Sequence, residues 1–164
     1  MTETAEKRKD SKKTTIAVIA AVVVLLGFNL YSFFGASLLL PGTEIPEITG
    51  IDPDINGVAS IDLSKGVVVL NIWATWCPAC LNEMYILKRA AGQMTIYGAI
   101  KKPFKYETYR GFTTGFRSLI LEDDFFEKLH ISALPTTLLL ENGVIKKVHT
   151  GPVSDDFLNE WVKP

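Results

Sequence analysis

Residues 67–80 read VVVLNIWATWCPAC, and both cysteines of the 164-residue chain, Cys77 and Cys80, stand at the end of this stretch. Val67 to Ala74 is a continuous apolar run rich in β-branched side chains, with Asn71 as its one polar member. Such a run reads as a strand buried on both faces. The next residues, CPACLNEMYILKRAAG (77–92), place Pro78 at a first-turn position and Gly92 as a stop. A helix is therefore expected to open at the cysteines.

That placement has chemical consequences. A thiolate attacks a disulfide through a mixed-disulfide intermediate, so one cysteine must be reachable and partly ionised while the other waits nearby to resolve the intermediate. Cys77 lies at the expected helix N-terminus, where unpaired N–H groups and the dipole favour negative charge. Cys80 lies one turn inward. Cys77 is thus the candidate nucleophile and Cys80 the candidate resolving thiol. A loop this short confers little entropy as a structural staple. A zinc site needs two further ligands, and the chain's two histidines, His130 and His149, lack ligand-like spacing.

Outward from this stretch, residues 41–66 are rich in Pro, Gly and Asp and read as a tether followed by a short hairpin. MTIYGAI (94–100) reads as a second strand, 105–116 as helical around 107–112, and EDDFFEKLH (122–130) as helical with an acidic start. TTLLL, the turn ENG and VIKKVHT (136–150) form a hairpin on the Asn-Gly signal. SDDFLNEWV (154–162) closes as a helix capped by Ser154. The pattern is α/β: a βαβ unit joined to ββα, with a mixed central sheet and helices on both faces.

The N-terminus stands apart. KRKDSKK (7–13) precedes an almost uncharged stretch over 16–40. That length suffices to cross a bilayer, which takes roughly 20 apolar residues. A cleavable signal peptide, whose apolar region is shorter and ends in a small-x-small site, fits SFFGAS (32–37) poorly. The expected layout is a cytoplasmic basic end (1–15), a transmembrane anchor (16–40), a tether and hairpin start (41–57) and one folded domain (58–164). The positive flank stays inside, so the domain lies outside, in the periplasm or on the outer face of the cytoplasmic membrane, where disulfides persist. A net charge of −1 gives no reason to expect nucleic acid binding.

VVVLNIWATWCPAC, the Glu three residues after the second cysteine, and ISALPTTLLLENGVIKKVHTG (131–151) together resemble the membrane-anchored, extracytoplasmic thioredoxin-like proteins of the TlpA, ResA and DsbE type. The resemblance spans about Pro41 to the C-terminus. It departs from the group in having Met84-Tyr85 where a proline is common, and in a compact 101–115 segment. It implies a thioredoxin-like fold and thiol–disulfide oxidoreductase activity, with no cofactor and no metal. Glu83 would assist proton transfer from the resolving thiol, in place of the acid that thioredoxins commonly carry where Asn71 stands here; the other reading of Glu83 is a solvated helix-surface residue. Trp76, Pro78, Leu134 and Pro135 would contact substrate, a cis bond before Pro135 presenting the Leu134 backbone to an extended peptide; the other reading of Pro135 is an ordinary proline at a strand start. Trp73 is expected in the core, His130 at a helix end and His149 exposed on a strand. The implied partners are exported disulfide proteins, apocytochrome c among them, and a DsbD- or CcdA-like membrane electron donor. The competing classes are a disulfide-introducing oxidase and a Cu(I) carrier of the copper-tolerance type.

Overall fold

The structure, a computed structural model, describes residues 41–111 and 115–162. The expected anchor over 16–40 lies outside the described residues, among which no helix is long and apolar enough to cross a membrane.

Among the described residues, β1 (Glu47–Asp52), β2 (Gly57–Asp62), β3 (Val67–Trp73), β4 (Ile96–Ile100), β5 (Ser118–Ile120), β6 (Thr136–Glu141) and β7 (Val144–Thr150) form one sheet in the order β2-β1-β5-β4-β3-β6-β7. The helices are α1 (Pro78–Ala90), α2 (Tyr106–Gly111), α3 (Asp123–Lys128) and α4 (Asp155–Trp161). β4 runs parallel to β3 and β5 and the remaining neighbours are antiparallel, so the sheet is mixed.

β3 lies inside the sheet and is covered on both sides, which is why its sequence is apolar without alternation. Val68, Leu70 and Ile72 pack into one apolar cluster with Phe126 of α3. Val69 and Trp73 face the other way, into a cluster with Met84 and Leu87 of α1 and Leu158 of α4. Each fully buried side chain of this size contributes about 1.5–3 kcal/mol relative to exposure. The period of two on β3 thus distributes its burial between two helical layers.

Two local differences from the sequence reading have plain causes. β5, three residues long, was not expected, because so short a segment carries no readable periodicity; it exists because β4 and β1 both pair with it. The strand expected from Met94 begins at Ile96, since the Gln93 and Met94 amides still donate to Ala90 O at the end of α1. The Asn-Gly turn forms as expected, with Asn142 and Gly143 both at positive φ and the Gly66 N–H donating to Asn142 Oδ1 at 3.0 Å.

Candidate active site

Pro78 opens α1, and Cys77 is its N-cap, with extended backbone angles of φ −96° and ψ 106°. Cys77 Sγ accepts from the Cys80 N–H at 3.2 Å, so the sulfur occupies the place of a capping oxygen. No acidic side chain stands in the first turn, and Lys88 and Arg89 close the last, leaving the positive end of the helix directed at the sulfur. Cys77 and Cys80 are joined as a disulfide with Cα atoms 5.3 Å apart. Cys77 is 6% exposed and Cys80 wholly buried, the order of access that attack and resolution require.

Beside the disulfide lies a groove of about 420 Å³, lined by Trp76, Cys77, Pro78, Lys101, Ile131 and Leu134 among others. Trp76 is 43% exposed, whereas Trp73 is fully buried and stacks on Tyr109 at 6.3 Å. The Leu134–Pro135 bond is cis. Among the described residues nothing pairs with the Leu134 backbone, so its N–H and C=O are available to an extended peptide.

Glu83 is not a solvated surface residue. α1 buries Cys80, Glu83, Met84 and Leu87, the i, i+3, i+4, i+7 face that turns toward the sheet. Glu83 is 1% exposed, its carboxyl accepting from Asn71 Nδ2 at 2.9 Å and from the Val153 N–H at 2.8 Å. Burial raises its pKa above the ordinary carboxyl range, while the Val153 and Asn71 donors pull the other way. A carboxyl whose proton affinity is raised by burial, one turn behind the buried thiol, is suited to proton exchange.

Asn71, Thr137, Gly98 and Ser118 share one register row across four strands. Asn71 Nδ2 also donates to Thr137 Oγ1 at 3.1 Å, leaving Asn71 Oδ1 without a partner; Trp73 Nε1 and Ser118 Oγ are likewise unpartnered and buried. A Cβ on Gly98 would stand 2.2 Å from Ser118 Oγ and 3.0 Å from Trp73 Nε1, so the absent side chain is what lets these groups close over β4. Neither the Val153 amide nor Thr137 was singled out by sequence reasoning. A main-chain N–H leaves no compositional trace, but the pairing of 71 with 137 follows once the ladder is known.

The histidines divide. His130 follows α3 at φ 49°, as a helix-end residue. His149 differs from expectation: its ring packs against Phe157 at 4.3 Å and Trp161 at 6.4 Å, because β7 lies beneath α4. Among the described residues no group of three or more His, Cys, Asp or Glu side chains is placed to hold a metal ion.

A helix that opens on a pair of thiols, set against an unpaired backbone edge, defines a thioredoxin-like thiol–disulfide oxidoreductase. Comparison with known proteins agrees: the Redoxin family matches residues 40–95. The thiol-disulfide oxidoreductase ResA of Halalkalibacterium halodurans is 30% identical over 162 residues, covering 90% of this chain and 91% of the relative. The thioredoxin domain of a thiol-disulfide oxidoreductase from Bacteroides vulgatus superposes with a TM-score of 0.62 at 21% identity, over 77% of this chain and all of that one. StoA from Bacillus subtilis does so with a TM-score of 0.58 at 19% identity, over 74% of this chain and all of its own. The chain belongs to the ResA-type family of thioredoxin-like thiol–disulfide oxidoreductases, related to TlpA and DsbE.

Proposed function

We propose that the protein acts as a reductase on the outer side of the cytoplasmic membrane, held there by the apolar segment over 16–40, and that it opens disulfides in exported proteins such as apocytochrome c during cytochrome c maturation. The observation that carries this reading is Glu83, buried one turn behind Cys80 and held by Asn71 and Val153. In the reductive direction the Cys77 thiolate attacks one sulfur of the client disulfide, forming a mixed disulfide and releasing the other sulfur as a thiolate. Cys80 then gives its proton to Glu83 and attacks Cys77 Sγ, freeing the second client thiol and leaving the Cys77–Cys80 disulfide. The protein is oxidised by two electrons and the client reduced by two. A DsbD- or CcdA-like membrane dithiol returns the electrons.

The client lies in the groove beside Trp76 and Pro78, with its backbone against Leu134. Equilibration against glutathione or dithiothreitol tests the direction. A potential near the thioredoxin value of about −270 mV supports reduction, and one near the DsbA value of about −120 mV assigns the protein to disulfide formation instead. A membrane-impermeant thiol reagent tests location: labelling of Cys77 in intact cells with a permeabilised outer envelope is expected, and labelling only after lysis would reverse the orientation.

A further inference from the structure

The loop after β7 touches both halves of the site. The Gly151 N–H donates to Pro135 O at 2.9 Å, and two residues later the Val153 N–H donates to Glu83 Oε2 at 2.8 Å. Pro152 between them has no N–H, and its carbonyl lies 3.3 Å from His149 Nε2. Ser154 Oγ then caps α4 by accepting from the Phe157 N–H at 3.2 Å, and Asp155 of α4 pairs with Arg89 of α1. Residues 151–154 therefore form a strap, tied at one end to the docking edge and at its middle to the buried carboxyl.

The geometry of the strap is specified at Gly151. Its φ of 110° lies in the left-handed region that side chains disfavour, yet a Cβ there would meet nothing closer than His149 Nε2 at 4.0 Å. The requirement for glycine is thus conformational rather than one of space.

We propose that Gly151 and Val153 are positioning residues that couple the docking edge to the acid. A client seated on the Leu134–Pro135 edge displaces Pro135 O, the strap passes that displacement from Gly151 to the Val153 N–H, and the proton affinity of Glu83 changes while the mixed disulfide exists. The surroundings of Glu83 make it sensitive to this one donor. β3 and β6 offer Asn71 and Thr137, the strap offers the Val153 amide, and Cys80 one turn back on α1 is the titrating neighbour. The proposal rests on the reading of Glu83 as the proton acceptor of Cys80.

The test uses the full chain carrying Cys80→Ser, with Cys77 joined either to a cysteine-containing decapeptide or to a methylthio group too small to reach the edge. The Glu83 carboxyl is titrated by carbon-13 NMR, assigned by its loss in Glu83→Gln. The peptide adduct is expected to titrate at a different pH from the methylthio adduct, and Gly151→Ala is expected to abolish that difference. Val153→Pro, which deletes the donor itself, should move the midpoint upward by about one pH unit, the loss of one charge-assisted hydrogen bond. Identical midpoints for the two adducts in the parent would overturn the coupling, as would a peptide-dependent difference that survives in folded Gly151→Ala. Should Gly151→Ala not fold, the parent adducts and Val153→Pro still decide. Failure of the acid's role is seen separately, as an unchanged pH profile of thiol exchange in Glu83→Gln.

Discussion

Asn71 Nδ2 donates to Glu83 Oε1 at 2.9 Å, with both side chains closed off from water. An amide suits this place because it can present Nδ2 to a carboxylate or, by rotating, its unpartnered Oδ1 to a protonated carboxyl. It therefore supports Glu83 in both protonation states without titrating.

Asn71→Asp removes that tolerance. Two carboxyl groups at hydrogen-bonding distance cannot both ionise, so the pair should take up one proton with a midpoint above that of Glu83 alone. The pH profile of Cys80-dependent exchange is expected to move upward by about one unit or more, the scale on which such like-charge pairs act. Adding Glu83→Gln should return it, leaving a single acid at position 71. The check is alkylation and disulfide exchange measured across pH on the two variants.

Glu83 also links stability to pH. Its pKa is raised by burial, so the folded chain holds this proton more tightly than the unfolded chain. Stability consequently falls as pH rises from the ordinary carboxyl value of 4.5 through the raised one, and the deficit persists above it. Glu83→Gln cannot suffer this loss. In the oxidised protein, where the thiols do not titrate, it should match the parent near the acid end and exceed it at neutral pH, by about 1.4 kcal/mol for each unit of the parent's shift. Thermal melts of both proteins across pH provide the measurement; a constant difference would show that the carboxyl binds its proton equally tightly in the folded and unfolded chains.

The two cysteines should separate in trapping. Cys80→Ser leaves the accessible sulfur without its resolving partner and is expected to accumulate covalent adducts with client proteins, whereas Cys77→Ser, with its remaining thiol buried, should accumulate few. Non-reducing gels of affinity-purified variants report the outcome, and equal trapping would undo the assignment of roles.

Gly98→Ala tests the register row beneath α1. The new methyl would stand 2.2 Å from Ser118 Oγ and 2.8 Å from Ser118 Cβ, so β4 and β5 must part or Trp73 must shift. A cost of about 1–3 kcal/mol is expected from overpacking. Ser118→Gly removes both nearer atoms and should recover most of it. Denaturant melts of the single and double variants make the comparison.

The sequence made the dithiol helix legible because capping, proline placement and the apolar run before it are all local signals. β3 was readable for the same reason, since burial on both faces writes itself into consecutive residues. The Asn-Gly turn and the Ser154 cap were equally local. β5 was not readable, because three residues are held by strands on either side rather than by their own pattern. The inward turn of Glu83 could have been found: 80, 83, 84 and 87 form a helical stripe in which a single acid interrupts apolar positions. The Val153 amide could not, since any residue but proline supplies one. His149 was misjudged because alternation along β7 does not reveal that α4 folds back over that strand.

The sulfur that caps α1 is also the atom that changes oxidation state. A thiolate accepts a hydrogen bond more strongly than a disulfide sulfur, so the Cys80 N–H favours the reduced form of Cys77. In a thermodynamic cycle the same free energy must appear on both legs: whatever reduction adds to the start of the helix, the helix returns as a displacement of the couple toward less negative potential. Substitutions along α1 that alter its fraying are therefore redox substitutions, even where they lie far from either thiol.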